Sequence, residues 1–349
     1  MFDEVVFFMN NEQLKKSLVK NNQPAYRVPQ IQKAIFQTGI SNFMEISTIS
    51  KELREFLVRE LDILSFSVKK IVIAKDGFSV KALLELRDGL AIETVLLSAG
   101  TGKWSVCVSS QVGCALNCQF CATGKNGLRR NLIAEEISDQ VLFWRQYLKK
   151  KRGADKISNI VYMGMGEPFL NWTEVKKSLK DLTDNDLFAF GSRSISVSTV
   201  GIAEGIILLA KEFPQVNLAL SLHFATDEKR NKYMPVNNKY SLNNLKKTLQ
   251  NYFLKTNRQV FIEYIMLAGI NDGEMDAYEL AKYLKSIGKR QLLHINLIKY
   301  NQTERGFEST SGNKVQIFKK YLENNGLSVS VRKSLGQEVF GACGQLAGK

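Results

Sequence analysis

The sequence predicts an α/β protein: a partial (β/α)6 barrel of the TIM type, preceded by a small N-terminal helical domain and a β-hairpin extension. Two observations lead to this fold class. From about residue 104 onwards, apolar strand patterns alternate with amphipathic helix patterns, as in parallel strands joined by crossover helices. Before that point, helical patterns give way to β-branched segments interrupted twice by Asp-Gly, the strongest short hairpin signal.

The helical domain is predicted to span residues 1–65. Three segments carry apolar residues at helical spacing, namely "NNEQLKKSLVKN", "VPQIQKAIFQTG" and "SKELREFLVRELD". Pro24 and Pro29 are expected to separate the first two helices, and Gly39 to end the second. Residues 66–100 follow as the predicted β-hairpin connector, because Asp-Gly turns divide them into strands.

The barrel core is predicted over residues 101–349. It begins with the strand "WSVCVSSQV" and the helix "AEEISDQVLFWRQYLKK", and we expect its apolar strands to be covered on both faces. Six or seven such units can form an open sheet or a partial barrel, and in barrels of this kind the chemistry lies at the carboxyl ends of the strands. Unusual residues do follow the predicted strands, at the cysteine-rich loop, "MGMGEP", Ser198–Thr199, Ser221–His223 and Tyr300–Asn301.

The charge balance favours a polyanionic partner. Lys and Arg number 48 against 34 for Asp and Glu, which gives a net charge of +14 and a pI near 9.4. Nucleic acid is the most plausible polyanion, although a merely basic protein fits the balance equally well. The clusters "GLRRNL", with Arg129 and Arg130, and Lys149–Arg152 suit phosphate contacts or a solvated face.

The start of the chain predicts no targeting segment. The opening "MFDEVVFFMNN" has an acidic pair before its apolar stretch, and no small-residue cleavage site follows. No apolar run is long enough for a membrane span. We therefore expect a cytoplasmic protein without a membrane partner, in which cysteines stay reduced.

Five cysteines occur, and Cys114, Cys118 and Cys121 are spaced CxxxCxxC. In a reducing compartment this spacing favours metal or redox chemistry over a static disulfide framework. Thiolates prefer iron–sulfur clusters, zinc or Cu(I). Structural zinc takes a closed set of four ligands, so a zinc site would need Cys107, Cys343 or a histidine as well. Three thiolates alone suit a [4Fe–4S] cluster with one iron left open for another ligand.

The CxxxCxxC spacing with Phe120 before its last cysteine resembles the signature of radical S-adenosylmethionine enzymes. The resemblance extends over nearly the whole chain to the RlmN group of RNA adenine methyltransferases, and also to the related Cfr group. It rests on eight blocks in the same order: "CVSSQVGCALNCQFCATG", "GLRRNL", "MGMGEPFLN", "SVSTVGI", "LSLH", "YIMLAGIND", "NLIKYN" and "ACGQLAG". Pro168 in "GEP" and "QLAG" after Cys343 resemble RlmN more than Cfr.

The resemblance implies the radical S-adenosylmethionine form of the barrel and a role for each matching residue. Cys114, Cys118 and Cys121 would hold a [4Fe–4S] cluster whose open iron takes the amino and carboxylate groups of S-adenosylmethionine. The residues that would contact this cofactor are Gly166, Glu167, Ser198, Ser221, Leu222, His223 and Asn301. Considered singly, "MGMGEP" also fits an ordinary turn, and His223 fits a hydrogen-bonded core histidine.

Three further residues acquire catalytic roles through the resemblance. Cys343 would accept a methyl group from one S-adenosylmethionine, and a second, cleaved to a radical at the cluster, would activate that methyl group for addition to adenine. Cys107 would then release the product by forming a transient disulfide with Cys343. Glu93 would be the proton acceptor. Without the resemblance, both cysteines fit buried structural residues and Glu93 fits a strand surface residue.

The expected function is methylation of carbon 2 of an adenine in large-subunit (23S) rRNA, with tRNA as a second candidate substrate. Carbon 2 is not nucleophilic, so a radical route explains the cluster. The helical domain would contact the RNA, a flavodoxin or ferredoxin would supply electrons, and the protein would be a monomer. Two alternatives remain: Cfr-like methylation of carbon 8, and a non-catalytic, zinc-stabilised RNA-binding protein.

Overall fold

In the computed structural model, residues 7–153 and 156–348 are described. The prediction that the chain starts without a targeting segment therefore concerns residues that lie partly outside the described ranges. The helices are α1 (Asn11–Lys20), α2 (Arg27–Gln32), α3 (Lys51–Glu60), α4 (Ala134–Arg152), α5 (Trp172–Thr183), α6 (Ala203–Glu212), α7 (Asp227–Tyr233), α8 (Leu242–Thr256), α9 (Glu274–Ile287) and α10 (Gly312–Asn324). The strands are β1 (Phe7–Phe8), β2 (Leu61–Asp62), β3 (Phe66–Ile73), β4 (Ser79–Leu86), β5 (Ala91–Ser98), β6 (Lys103–Cys107), β7 (Gln111–Gly113), β8 (Leu128–Asn131), β9 (Lys156–Tyr162), β10 (Ile195–Thr199), β11 (Asn217–Ser221), β12 (Val260–Met266), β13 (Leu293–Lys299) and β14 (Ser328–Arg332).

One large sheet organises the chain. Its strand order is β14-β13-β12-β11-β10-β9-β6-β5-β4-β3, and every neighbouring pair from β6 to β14 is parallel. A crossover helix joins each of these parallel strands to the next, which confirms the predicted run of β/α units. None of the helices in the described part of the chain is long and apolar enough to cross a membrane.

The predicted hairpin extension is part of the same sheet. β3, β4 and β5 pair antiparallel, and β5 continues the sheet by pairing antiparallel with β6. Both Asp-Gly turns form as predicted, with Gly77 and Gly89 at positive φ. The side chains of Asp76 and Asp88 accept backbone N–H groups two residues on, at 2.8 and 3.1 Å. The two turns therefore fix the pairing of β3, β4 and β5, and β5 carries this pairing on to β6, the first strand of the barrel.

Helix α4 carries the predicted apolar face into the core. Ile137, Val141 and Trp144 are fully buried, and Leu148 is nearly so. The indole of Trp144 donates to Thr94 Oγ1 at 3.0 Å, and that hydroxyl donates to the backbone oxygen of the residue ending β6 at 2.8 Å. Burial of this helix thus fixes the end of β6, where the site begins.

The N-terminal helices dock on α4. The guanidinium of Arg145 donates to the backbone oxygens of Phe36 and Phe188. Gly39, at φ = +65°, ends the second helical segment as predicted. Pro29 does not separate two helices, because it lies in the first turn of α2, where proline needs no N–H partner.

Two further expectations were wrong, and one helix was missed. The predicted first strand breaks at residues 108–110, where Ser110 N turns to bond Met165 O, and β7 then pairs with β8 instead of the large sheet. Helix α7 was not predicted. Nor is β10 covered on both faces: Ile195 and Val197 are buried, whereas Ser196 and Ser198 are only half-buried.

Candidate active site

The cysteine loop is closed at its base and lies beside the C-terminal segment. Cys114 N donates to Gly127 O at 3.0 Å. Gly113 has φ = +79°, and a Cβ there would lie 2.0 Å from the Gly127 oxygen, so only glycine fits. At the other end of the loop, Ala122 N donates to Gly344 O at 2.8 Å. The backbone thereby brings the loop next to the residue that follows Cys343.

The thiols of the loop are close enough to influence one another. Burial raises the pKa of the Cys118 thiol, and the thiols of Cys121 and Cys114 raise it further. Burial also raises the pKa of Cys114 to about 12. Buried thiols stay protonated unless a positive charge compensates the thiolate, and coordinated metal ions do so directly. The donor type suits an iron–sulfur cluster, but among the described residues no three Cys, His, Asp or Glu side chains are grouped as metal ligands.

The loop after β9 fixes a buried carboxylate. Glu167 is 3% exposed, and its oxygens accept the N–H groups of Phe169 at 3.2 Å and Val200 at 2.9 Å. Burial raises the pKa of Glu167 to about 7. Gly166 has φ = +98°, and a Cβ there would lie 2.5 Å from Gln111 Cβ. "MGMGEP" is therefore not an ordinary exposed turn, because β7 and the end of β10 both constrain it.

Polar side chains from separate strand ends lie near each other, as predicted. Ser198 and Ser221 end the adjacent parallel strands β10 and β11, and their hydroxyls are 3.2 Å apart. Asn301 follows β13, is 2% exposed, and donates through Nδ2 to Cys343 O at 3.1 Å. The carboxyl edge of the sheet thus gathers residues from the middle and the end of the chain.

His223 and Leu222 follow β11 in different environments. His223 has φ = +59°, and its Nδ1 accepts Ile265 N–H at 3.1 Å, so the neutral ring carries its proton on Nε2. Burial lowers the pKa of His223 to about 3, and its ring meets Phe120 edge to face at 5.0 Å. Leu222 is completely buried and presents no surface to a ligand. Its contact with the cofactor stays a prediction.

Cys107 and Cys343 come together from distant parts of the chain. Cys107 ends β6, where burial raises the pKa of its thiol and the nearby Cys343 thiol raises it further. Cys343 is exposed to solvent, yet surrounding protein raises its pKa through burial, followed by the charge of Glu263. The solvent exposure of Cys343 decides that its thiol is accessible from outside the protein. The alternative of two buried structural cysteines is wrong for Cys343.

Glu93 is not a strand surface residue. It lies on β5 with 1% exposure, because the C-terminal segment covers it. The ammonium of Lys81 pairs with its Oε1 at 2.6 Å, and Oε2 accepts the N–H groups of Ala347 at 2.7 Å and Gly348 at 3.1 Å. The strand pattern could not predict this burial, since the covering residues are far away in sequence.

Comparisons with known proteins identify the family of the chain. The Radical SAM superfamily model matches residues 108–281, and the model of the ribosomal RNA large subunit methyltransferase N-terminal domain matches residues 6–63. A curated relative named ribosomal RNA large subunit methyltransferase Cfr, from Clostridium botulinum (strain Okra / Type B1), is 43% identical over 95% of each chain. The chain belongs to the RlmN/Cfr family of radical S-adenosylmethionine rRNA methyltransferases.

Other relatives and a solved structure support the family assignment. Proteins of the same name from Bacillus velezensis and Staphylococcus aureus are 39% and 38% identical, each over 96% of this chain and 95% of the relative. A crystal structure of a radical SAM methyltransferase from Sphaerobacter thermophilus superposes with a TM-score of 0.90 at 35% identity, covering 98% of both chains. The predicted fold class is confirmed.

Membership of the RlmN/Cfr family decides between the cofactors considered from the sequence. Radical SAM enzymes bind a [4Fe–4S] cluster and S-adenosylmethionine, so both expected cofactors are confirmed and the non-catalytic, zinc-stabilised alternative is wrong. The chemistry of the cysteine loop fits the cluster, since the loop offers one buried thiol, Cys118, and two half-buried thiols, Cys114 and Cys121. The neighbouring glycine loop and half-buried serines leave polar groups for a second ligand.

Sequence reasoning missed Arg230 on α7. This arginine is fully buried, and it donates to Leu222 O at 3.2 Å, to Val200 O at 2.5 Å and to Asn237 Oδ1 at 2.7 Å. It thereby ties the ends of β10 and β11 together. Nothing in the charged run "DEKRNKY" distinguishes a buried arginine from a solvated one.

Proposed function

We propose that this protein methylates carbon 2 of an adenine in large-subunit (23S) rRNA, with Cys343 as the methyl carrier. The observation that supports this best is the setting of Cys343, a solvent-accessible thiol. Its carbonyl is held by Asn301, the next residue bonds the cysteine loop, and Cys107 lies nearby. A methyl carrier needs this combination of access to RNA and closeness to cofactor and to a second thiol.

In this proposal Cys114, Cys118 and Cys121 hold the cluster. Bound together, the cluster and S-adenosylmethionine supply radical chemistry, which polar methyl transfer to a non-nucleophilic carbon lacks. The strand ends contact S-adenosylmethionine through Gly166, Glu167, Ser198, Ser221, His223 and Asn301, with Leu222 behind them. Cys107 attacks the sulfur of Cys343 as a thiolate. The S–S bond forms, the bond from the Cys343 sulfur to the transferred carbon breaks, and its electron pair passes to the adenine, where a proton completes the methyl group and the RNA is released. Glu93 accepts the proton that leaves the adenine.

The choice of carbon 2 rests on two short stretches. Pro168 and the "QLAG" that follows Cys343 resemble the RlmN group. The curated relatives carry the name Cfr, which favours carbon 8 and makes it the second candidate. We further propose that tRNA is a substrate, that a flavodoxin or ferredoxin donates electrons, and that the protein acts as a cytoplasmic monomer.

Nucleoside mass spectrometry distinguishes these candidates. Ribosomal and transfer RNA from cells with and without the gene would be digested and compared for 2-methyladenosine and 8-methyladenosine. We expect 2-methyladenosine in 23S rRNA to depend on the gene and on Cys343, with Cys343→Ala as the matched inactive variant. If 8-methyladenosine depends on the gene instead, the site of methylation is carbon 8 and not carbon 2. No gene-dependent methyladenosine in either RNA would overturn the proposal.

A further inference from the structure

A half-buried lysine holds Glu93. Lys81 lies on β4 opposite Val95 of β5, which places it on the same face as Glu93, two residues earlier on β5. Its ammonium is 2.6 Å from Glu93 Oε1, and the two side chains are only 13% and 2% exposed. The ion pair thus connects the antiparallel extension to the edge of the active site.

An ion pair with this little exposure is weak evidence for a stabilising role. Removing two charges from water costs several kcal/mol each, and an apolar pair of the same volume stabilises a protein as well or better. The extension also contains a surface pair, Lys69–Glu85, whose side chains are 51% and 36% exposed. That pair belongs to an ordinary solvated face, whereas the pair of Lys81 lies under the C-terminal segment.

The second oxygen of Glu93 is held differently. Oε2 accepts the N–H groups of Ala347 and Gly348, which follow Cys343 by four and five residues. The hydroxyl of Thr123, next to the cysteine loop, donates to Leu346 O at 2.7 Å and anchors the same segment. One segment therefore carries the methyl-accepting cysteine and covers the carboxylate. If this segment withdraws, Oε2 loses its partners while Oε1 keeps Lys81.

We propose that Lys81 is a positioning residue that holds Glu93 by one oxygen, so that the other faces the RNA base once residues 347–348 withdraw. The proton step is then defined. The C–H bond of the adenine carbon breaks, its electron pair stays with the ring, and the proton bonds to Glu93 Oε2. Covering Glu93 with the segment that carries Cys343 keeps the base from acting until that segment moves. This inference rests on the role proposed for Glu93.

The test compares Lys81→Met with Lys81→Arg in cluster-loaded protein, with Lys69→Met as the matched surface control. In Lys81→Met we expect kcat for RNA methylation to fall about 100-fold, the range of one acid–base group, with KM changed less than about twofold. Mass spectrometry should still find a methyl group on Cys343. Lys81→Arg keeps the cation and should recover kcat to within about tenfold, and Lys69→Met should match the wild type.

A second measurement does not depend on activity. Hydrogen exchange of residues 344–348 should be faster in Lys81→Met than in the wild type, because a released Glu93 no longer accepts the two amides. Unchanged kcat, unchanged exchange, or an equal loss of Cys343 methylation and RNA methylation would each overturn the role of Lys81. Glu93→Gln separates the two proposals: if it keeps full kcat, the role of Glu93 itself fails. If Glu93→Gln is inactive while Lys81→Met is normal, only the inference about Lys81 fails.

Discussion

The two edges of the parallel sheet both carry basic residues, but these residues have different surroundings. Arg129 and Arg130 lie on β8, beside the cysteine loop at the carboxyl edge. Crossover helices run antiparallel to the strands, so Lys149–Arg152 at the end of α4 lie at the amino edge. There Arg152 donates to Gly77 O at 2.8 Å and covers the ring of Trp104. The two basic clusters look alike in the sequence, but they lie at opposite edges of the sheet.

Two neighbouring arginines of β8 also differ in their surroundings. Arg129 is exposed and points to no partner among the described ion pairs. Arg130 binds Asp88 at 2.5 Å and Glu136 at 2.7 Å. The hydrogen bond to Glu136, followed by the one to Asp88 and by the charges of both carboxylates, raises the pKa of the Arg130 guanidinium. A net charge of +14 does not reveal which cations are free to meet a phosphate. Substitutions at the two edges test this difference.

The largest contrast is expected for the cluster. Cys118→Ala at the carboxyl edge should abolish iron binding and all methylation, because three thiolates are needed to hold the cluster. Iron should be measured after anaerobic reconstitution, where the wild type should contain about four irons per chain. Lys150→Gln at the amino edge is the control and should keep this iron content. Full iron in Cys118→Ala, or stoichiometric zinc in the wild type, would contradict the expectation.

A second contrast separates two cysteines of the same edge. Cys343→Ala should give neither a methylated protein nor any attack on RNA, because the carrier is missing. Cys107→Ala should still become methylated and add to the adenine, but it cannot release the product, so a covalent protein–RNA adduct should accumulate. A denaturing gel with and without ribonuclease detects this adduct. If folded, cluster-loaded Cys107→Ala shows no ribonuclease-sensitive shift, the division of roles is wrong.

The smallest contrast concerns RNA affinity. Arg129→Gln should reduce the slope of log affinity against log salt by about 0.7 to 0.9, the loss of one phosphate contact. Lys150→Gln with Lys151→Gln should change affinity less than Arg129→Gln does, since these residues lie at the far edge. Equal losses at the two edges would mean that RNA wraps the whole barrel.

Arg130→Gln is the matched variant for Arg129→Gln, because the two arginines are neighbours on β8. It should lower the free energy of unfolding by about 1–3 kcal/mol, because the Glu136 side chain is 8% exposed and would lose its cationic partner, keeping only the N–H of Ile133. Thermal unfolding measures this loss, and the salt dependence of RNA binding should stay as in the wild type. A reduced salt slope with normal stability would instead place Arg130 among the RNA contacts.

Local patterns predicted much of the fold for physical reasons that act within a few residues. Asp-Gly needs only its own φ values and side chain to form a turn, so both turns of the extension were correct. Helix α4 shows its buried face in its spacing, since Ile137 and Trp144 follow the helical period. The break after β6 was missed because Ser110 bonds Met165, a partner outside any local window.

By itself, the sequence determined the alternation of strands and helices apart from α7 and the break after β6. It also determined the cysteine spacing and the blocks that place the chain in its family, because turn chemistry, hydrophobic period and thiol spacing are local. Only the tertiary structure decided which charges are buried and which thiols meet. Glu93 lies under residues 347–348, Arg130 lies between two carboxylates, and Cys107 lies near Cys343. These contacts join residues far apart in the chain, and they exist only once the sheet has brought its strand ends to one edge.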